Sequence, residues 1–425
     1  MKLNYKRTFL IGFAFMSICA FWQMYDNVIP LLLKYNFNLD ETITGFVMAL
    51  DNILAVILLP IIGTMSDNVD TKWGKRTPFI VVGTIIAVVA MMFLPISAGQ
   101  KSIVGFIIAL SVTLISMSLY RSPAVALMPD LTPKPLRSKG NAVINLMGAL
   151  GGVYTLVMIM LLDGAKESTH MPIFLGVGTL MIISIIILVL TINEKKIAKQ
   201  VAEEYPEEVQ KEAELESSGV NMSKDVKKSL TFILLSVALW YMAYNAVTSA
   251  FSRYAIEVWK LENGGYANCL MIATVAATIS YIPLGIISSK IGRKKTIMGG
   301  VVLMTLCYLY AAFVNSYNVS VVLGFCLIGI GWAAINVNSF PMVVEMCKES
   351  DTGKFTGLYY TFSMSAQIIT PILSGVLLQY VSYRSLFPYA VIFSALAFVT
   401  MIFVKHGDNK PEMKESILEN FDVDD

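Results

Sequence analysis

Two carboxylates and one guanidinium stand in this sequence where a charge is costly. Asp26 lies in the apolar run IGFAFMSICAFWQMYDNVIPLLL, Asp51 in GFVMALDNILAVILL, and Arg121 in SVTLISMSLYRSPAVAL. A charged side chain at the centre of a bilayer costs about 2.5–3.5 kcal/mol on the more lenient scales, so each is a functional hypothesis by default. At 1.5 Å per residue, Asp26 lies about 10 Å and Asp51 about 13 Å from the outer ends of their apolar runs. At that matched depth on sequential segments, two acids cannot comfortably both ionise. Such a pair suits reversible protonation, or a cation held between the two. The structural alternative is that each acid is hydrogen-bonded to a neighbouring helix. Arg121, about 28 Å along its run, is placed much deeper, as a gate or an inward-facing substrate contact and not as a direct pair with Asp51.

Polar groups recur at helical spacing around these charges. Gln23, Asp26, Asn27 and Pro30 share one face, as do Tyr241, Tyr244, Asn245, Thr248 and Ser252. Asn52 follows Asp51, and Asn336, Asn338, Tyr359, Tyr360, Ser363 and Gln367 add amides, hydroxyls and rings in later runs. Amide groups beside aromatic faces suit a solute with many hydroxyls and apolar ring faces. Gln23, Asn27, Asn52, Tyr241, Tyr244, Asn245, Asn336, Asn338, Tyr359 and Gln367 are therefore the candidate solute contacts. The alternative is interhelical hydrogen bonding with no ligand involved. Trp259 reads as an interfacial anchor, and Arg253 with Glu257 as a surface ion pair one turn apart. The chain has two histidines, and its five cysteines stand singly in apolar stretches, without the spacing of a metal site or disulfide framework. There is no phosphate-binding GxxxxGK[ST] loop, and no metal cluster or nucleophile elbow, which argues against an enzyme.

The elements that must hold these residues follow from composition. Of 425 residues, 56% are apolar and 15% charged, against about 25% charged in a soluble domain. Runs of about 20 apolar residues, enough to cross a bilayer, cover 8–33, 42–65, 78–96, 102–127, 140–162 and 172–190. A second six cover 230–254, 265–289, 296–314, 319–344, 355–380 and 386–404. The first run is too long for a secretory signal and is read as a span. The expectation is an all-α membrane protein with bundles over 1–192 and 230–404. A solvated, partly helical linker over 193–229 and a tail over 405–425 complete the chain. With both termini inside, 25 of the 32 basic residues fall on that side and five on the other, with Arg121 and Arg253 within spans. By the positive-inside rule both termini are cytoplasmic. The net charge of +2 gives no reason to expect a nucleic-acid partner.

Two loops repeat each other. GTMSDNVDTKWGKR after the second span and GIISSKIGRK after the eighth each begin with glycine (Gly63, Gly285). Each places a polar residue four positions on (Asp67, Ser289) and ends in glycine and two bases (Gly74-Lys75-Arg76, Gly292-Arg293-Lys294). The acid can stabilise a helix N-terminus and pair with loop cations, making a gate from Gly63, Asp67, Lys72, Gly74, Lys75, Arg76, Gly285, Gly292 and Arg293, with Arg121. These loops resemble the signature of the major facilitator superfamily. KWGKRTPFI (72–80), SPAVALMPDL (122–131) and GWAAINVNSFP (331–341) resemble the glycoside–pentoside–hexuronide cation symporters and the sucrose–proton symporter-like carriers. There are two departures: the plant sucrose carriers have arginine where this chain has Val125, and the second loop has Ser289 in place of an acid. The resemblance implies a major facilitator fold of twelve helices in two six-helix bundles. It also implies alternating-access symport of a sugar or glycoside, with Asp26 and Asp51 handling a proton or sodium ion and no other cofactor. The expected setting is the cell inner membrane, as a monomer. The alternatives are a proton-coupled drug or metabolite exporter and a membrane sensor that does not transport.

Overall fold

A span differs from a soluble helix in being apolar all round, and the third helix shows why. Its buried residues include Ile80, Gly83, Thr84, Ala87, Ala90, Met91 and Leu94, spaced along one helical face. Its outward face carries Val82, Ile85, Ile86, Val89 and Phe93, all exposed. The inner face is merely the smaller-grained of two apolar faces, which fits packing between helices in lipid. The hydroxyls on these helices turn back to their own backbone, as where Thr84 donates to the Ile80 carbonyl at 2.7 Å and Thr113 to that of Ala109 at 2.7 Å. That satisfies a polar group where no water competes.

The computed structural model describes residues 3–133, 136–163, 169–204, 224–261, 264–344, 346 and 352–408. Its α-helices are α1 (Tyr5–Leu31), α2 (Glu41–Asp67), α3 (Thr77–Gly99), α4 (Ile103–Asp130), α5 (Arg137–Leu162), α6 (Met171–Thr191) and α7 (Glu194–Glu204). They continue with α8 (Lys224–Glu257), α9 (Gly265–Ile291), α10 (Arg293–Phe313), α11 (Val319–Val344), α12 (Thr352–Tyr380) and α13 (Leu386–Ile402). Among the described residues, twelve helices are long and apolar enough to cross a membrane, matching the expected spans; α7 is the short thirteenth. The side chain of Asn4 caps α1 by accepting from the Arg7 N–H at 3.1 Å, and Ser102 caps α4. Proline in the first turn opens α3 and α6, where its missing N–H is no loss.

The chain divides into two compact units. The first holds Met1–Asp40, Leu50–Val209 and Glu262–Asn268, and the second Glu41–Ala49, Gln210–Leu261 and Cys269–Asp425. In the first, α1 packs on α5 and α6, and α3 on α4 and α6. In the second, α8 packs on α12 and α13, and α10 on α11 and α13. The same pairing recurs seven labels later, so each set of six spans repeats one internal plan. Hydroxyls join the helices: Thr155 donates to the Ala20 carbonyl at 2.9 Å, and Ser236 and Thr400 bond at 2.7 Å. The expected linker lies largely outside the described residues, but its two ends are helical. α7 begins it, and α8 starts at Lys224, a turn and a half before the seventh apolar run.

Candidate functional site

In the first unit α1 and α2 bring the two aspartates together. Asp26 lies in the field of Asp51, and the Tyr25 hydroxyl in the field of both. Asn52 donates its side-chain N–H to Asp51 Oδ1 at 2.8 Å. Asn27, 1% exposed, donates to the Gln23 carbonyl at 2.9 Å, and its own Oδ1 is buried and accepts no hydrogen bond. Of the polar face expected on this helix, Gln23, Asp26 and Asn27 thus stand within one turn of a carboxylate pair.

Arg121 departs from the gate expected of it. The loop clusters do not include it; its guanidinium lies over the Trp22 ring, 5.7 Å from the centroid, and its charge acts on Asp51. Trp22 is a turn before Asp26 and is held edge-on by Phe21 and Tyr25 at 5.1 and 5.5 Å. Rise per residue located the Cα of Arg121, whereas the long side chain carries the charge elsewhere.

The second unit carries an aromatic stack. The rings of Tyr244 and Trp332 lie 3.8 Å apart and 4° from parallel, and Tyr241 meets the same indole edge-on at 5.3 Å. Asn245 donates to the Tyr241 carbonyl at 2.9 Å, and Asn338, fully buried, to that of Ala334 at 2.9 Å. The Asn338 Oδ1 is buried and accepts nothing. Tyr359 bonds Ser339 at 2.9 Å, Asn336 is buried, and Gln367 is half-buried on α12. Trp332, which the spacing argument passed over, is the residue that joins the α8 tyrosines to α11.

The repeated loops are built differently from their expected form. Arg76, 5% exposed, donates from Nε to Asp130 at 2.8 Å and also binds Ser66 and Asp67. Lys75 pairs with Asp130 at 3.3 Å and with Asp67 at 4.0 Å. Asp67 therefore serves the cations. The α3 N-terminus is served by Glu194, a residue assigned above to a solvated linker and in fact 3% exposed. Its carboxylate accepts the N–H groups of Lys75 and Thr77, both at 2.8 Å, that of Arg76 at 2.9 Å, and the Thr77 hydroxyl at 2.7 Å. Gly74, at φ +113°, makes the turn under it, a conformation a Cβ would disfavour. The second loop has the same device with another acid. Gly292 sits at φ +95°, and Asp408 accepts the Lys294 N–H at 2.8 Å. Asp408 is thus the counterpart of Glu194 and not of Asp67, and Ser289, at the Asp67 position, donates to the Ile286 carbonyl at 2.8 Å. Lys72 is exposed, Gly63 and Gly285 lie in the last turns of α2 and α9, and Arg293 opens α10.

Two further expectations are overturned. Arg253 is 2% exposed and pairs with Glu41 at 2.9 Å, and Tyr383 donates to the same carboxylate. It is a buried pair within the second unit. Trp259 is 5% exposed, donates to the Val314 carbonyl at 3.1 Å and packs against Phe251, Tyr254 and Phe387. It holds a core together and does not float at an interface.

Comparison with known proteins agrees with this architecture. The model of the MFS/sugar transport protein family matches residues 10–404. An MFS-type transporter of Methanocaldococcus jannaschii is 24% identical over 94% of this chain and 95% of its own length. A sucrose transport protein of Arabidopsis thaliana is 25% identical over 27% of this chain and 23% of its own. A solved POT family transporter in complex with a thioalcohol-conjugated peptide superimposes with a TM-score of 0.73 at 11% identity, covering 94% and 95% of the two chains; that likeness concerns the fold. With its twelve spans and this match along nearly its whole length, the chain belongs to the MFS/sugar transport family of the major facilitator superfamily and is a multi-pass membrane transporter of small solutes.

Proposed function

We propose that the protein is a secondary symporter that carries a sugar or glycoside with a proton or sodium ion. It would act as a monomer in the cell inner membrane with both termini cytoplasmic. The observation that carries this reading is the pair Asp26 and Asp51, set within spans with Asp26 in the field of Asp51. A proton or cation on the pair removes the cost of a bare charge in the span, so the loaded carrier can reorient while the half-loaded one is held back. This is the coupling that alternating access requires. The amides and stacked rings of the second unit support a hydroxylated solute, since Tyr244 and Trp332 offer flat apolar faces beside Asn245 and Asn336. The sucrose transport protein among the relatives points the same way.

The test is transport by the purified full-length protein in proteoliposomes. Counterflow against a panel of mono- and disaccharides, with pH and sodium varied separately, identifies the cargo and the ion. Asp26→Asn and Asp51→Asn should abolish gradient-driven accumulation while leaving exchange of the same solute measurable. Accumulation that persists unchanged in the double variant would falsify the reading.

A further inference from the structure

We propose that Arg121 receives a carboxylate, so that the solute is a hydroxylated monoanion and not a neutral sugar. The inference rests on the symport reading above and narrows its substrate class.

Three observations point to an acceptor that only a solute can bring. The first is the state of the guanidinium. Arg121 lies inside a span, and among the described residues no hydrogen bond or ion pair reaches it; its interactions are the Trp22 ring at 5.7 Å and the field of Asp51. Arginine has five N–H donors in a planar fork and stays charged in proteins. A span is an expensive place to leave such a group without acceptors.

The second is the contrast with the other spanning arginine. Arg253 is 2% exposed and already has a carboxylate, that of Glu41 at 2.9 Å. The protein therefore supplies a directly paired acid where an arginine serves structure, whereas Arg121 has only the field of Asp51. Arg121 is also only half-buried, so its fork remains accessible.

The third is the mounting. Trp22 is fixed edge-on by Phe21 and Tyr25 and offers its face to the guanidinium. A ring beneath a guanidinium covers one face of the plane and leaves the N–H edge open. A carboxylate matches that edge with two parallel bonds. Among the described residues, the other arginine or lysine deep within a span is the committed Arg253. One guanidinium balances one negative charge, which favours a monocarboxylate over a phosphate ester carrying nearly two.

Charge balance then ties this site to the aspartates. Two carboxylates sharing one proton or cation carry one negative charge, which Arg121 offsets in the empty carrier. A carboxylate arriving at Arg121 adds one negative charge, and a second cation on Asp26 and Asp51 restores the balance. One anion therefore travels with one cation, and the loaded carrier is no more charged than the empty one.

The experiment uses the full-length protein in proteoliposomes and matched probes, glucose against glucuronate and lactose against lactobionate, with lactate as a monoanion lacking the sugar frame. Counterflow is measured for the wild type, Arg121→Gln and Arg121→Lys, with the melting temperature of each variant in detergent as a folding check. Exchange of an acidic probe and not its neutral partner is expected. Arg121→Gln should lower it by about tenfold or more, the worth of a charge-assisted hydrogen bond, and Arg121→Lys should retain part of it. Exchange of neutral sugars that is indifferent to Arg121→Gln would overturn the inference and leave the sugar-symport reading intact. Exchange of lactate alone, dependent on Arg121, would support the carboxylate site and sink the sugar reading. If no acid is exchanged and none raises the wild-type Tm, the inference fails outright.

Discussion

Asn52 shows how much one amide can decide in a span. Its N–H group bonds Asp51 Oδ1 at 2.8 Å, so the carboxylate is held in one orientation toward whatever cation it takes. A hydrogen bond to a charged group contributes about 1.5–3 kcal/mol. That bond favours the charged carboxylate, so Asn52→Ala should lower the half-saturating proton concentration for uptake by about tenfold or more, with little change in Tm. An unchanged cation dependence would show that the amide only fills space. The two aspartates were legible in the sequence because a charge inside an apolar run has no cheap explanation. The company Arg121 keeps was not, because its side chain can place the charge well away from the Cα that spacing locates. Arg253 was misread for a related reason. Its neighbour at one turn, Glu257, is visible in the sequence, whereas Glu41 lies more than 200 residues away and meets it only in the fold.

At the scale of elements, the two glycine turns were legible and the acids that complete them were not. Glu194 sits at the head of a run dense in Glu and Lys, and composition assigns such a run to water. Yet its side chain is buried on the first turn of α3, and Asp408 does the same work at α10 from beyond the last span. Each acid follows the sixth span of its set and grips the N-terminus of the third. These are the orphan N–H groups a helix start leaves over, with a dipole that favours an anion. Glu194→Ala leaves several donors without their acceptor and should cost about 2–4 kcal/mol, read as a lower Tm. Asp408→Ala, which gives up one observed backbone bond, should cost less. Equal Tm values for Glu194→Ala and the wild type would mean that water replaces the carboxylate without loss. The Glu41–Arg253 pair calls for a different expectation. Removing one partner of a buried pair leaves the other charge bare, at about 3–5 kcal/mol. The double change Glu41→Gln with Arg253→Met should therefore be milder than Arg253→Met alone, a coupling that a double-mutant cycle measures directly.

For the whole molecule, lipid makes the sequence unusually readable. Every span must satisfy its own backbone and turn apolar groups outward, so twelve runs appear without any knowledge of packing. Their grouping into two sets of six came from the loop repeat, and the matched pairings of α1, α3 and α6 with those of α8, α10 and α13 give it a structural counterpart. What apolar runs alone do not contain is direction across the membrane. That rests on the basic residues, 25 on the side of the termini against five opposite. The α2–α3 loop, with Lys72, Lys75 and Arg76, should then face the cytoplasm, and the short α3–α4 connection the outside. Single cysteines at Asn68 and Gln100, both exposed, probe these two ends in a background whose native cysteines are replaced by alanine. A membrane-impermeant maleimide should label Gln100→Cys in intact cells and Asn68→Cys only after permeabilisation. The reverse pattern would turn the carrier over and place the Glu194 and Asp408 grips on the outer face. Labelling of both in intact cells would break the assignment of α3 as a span.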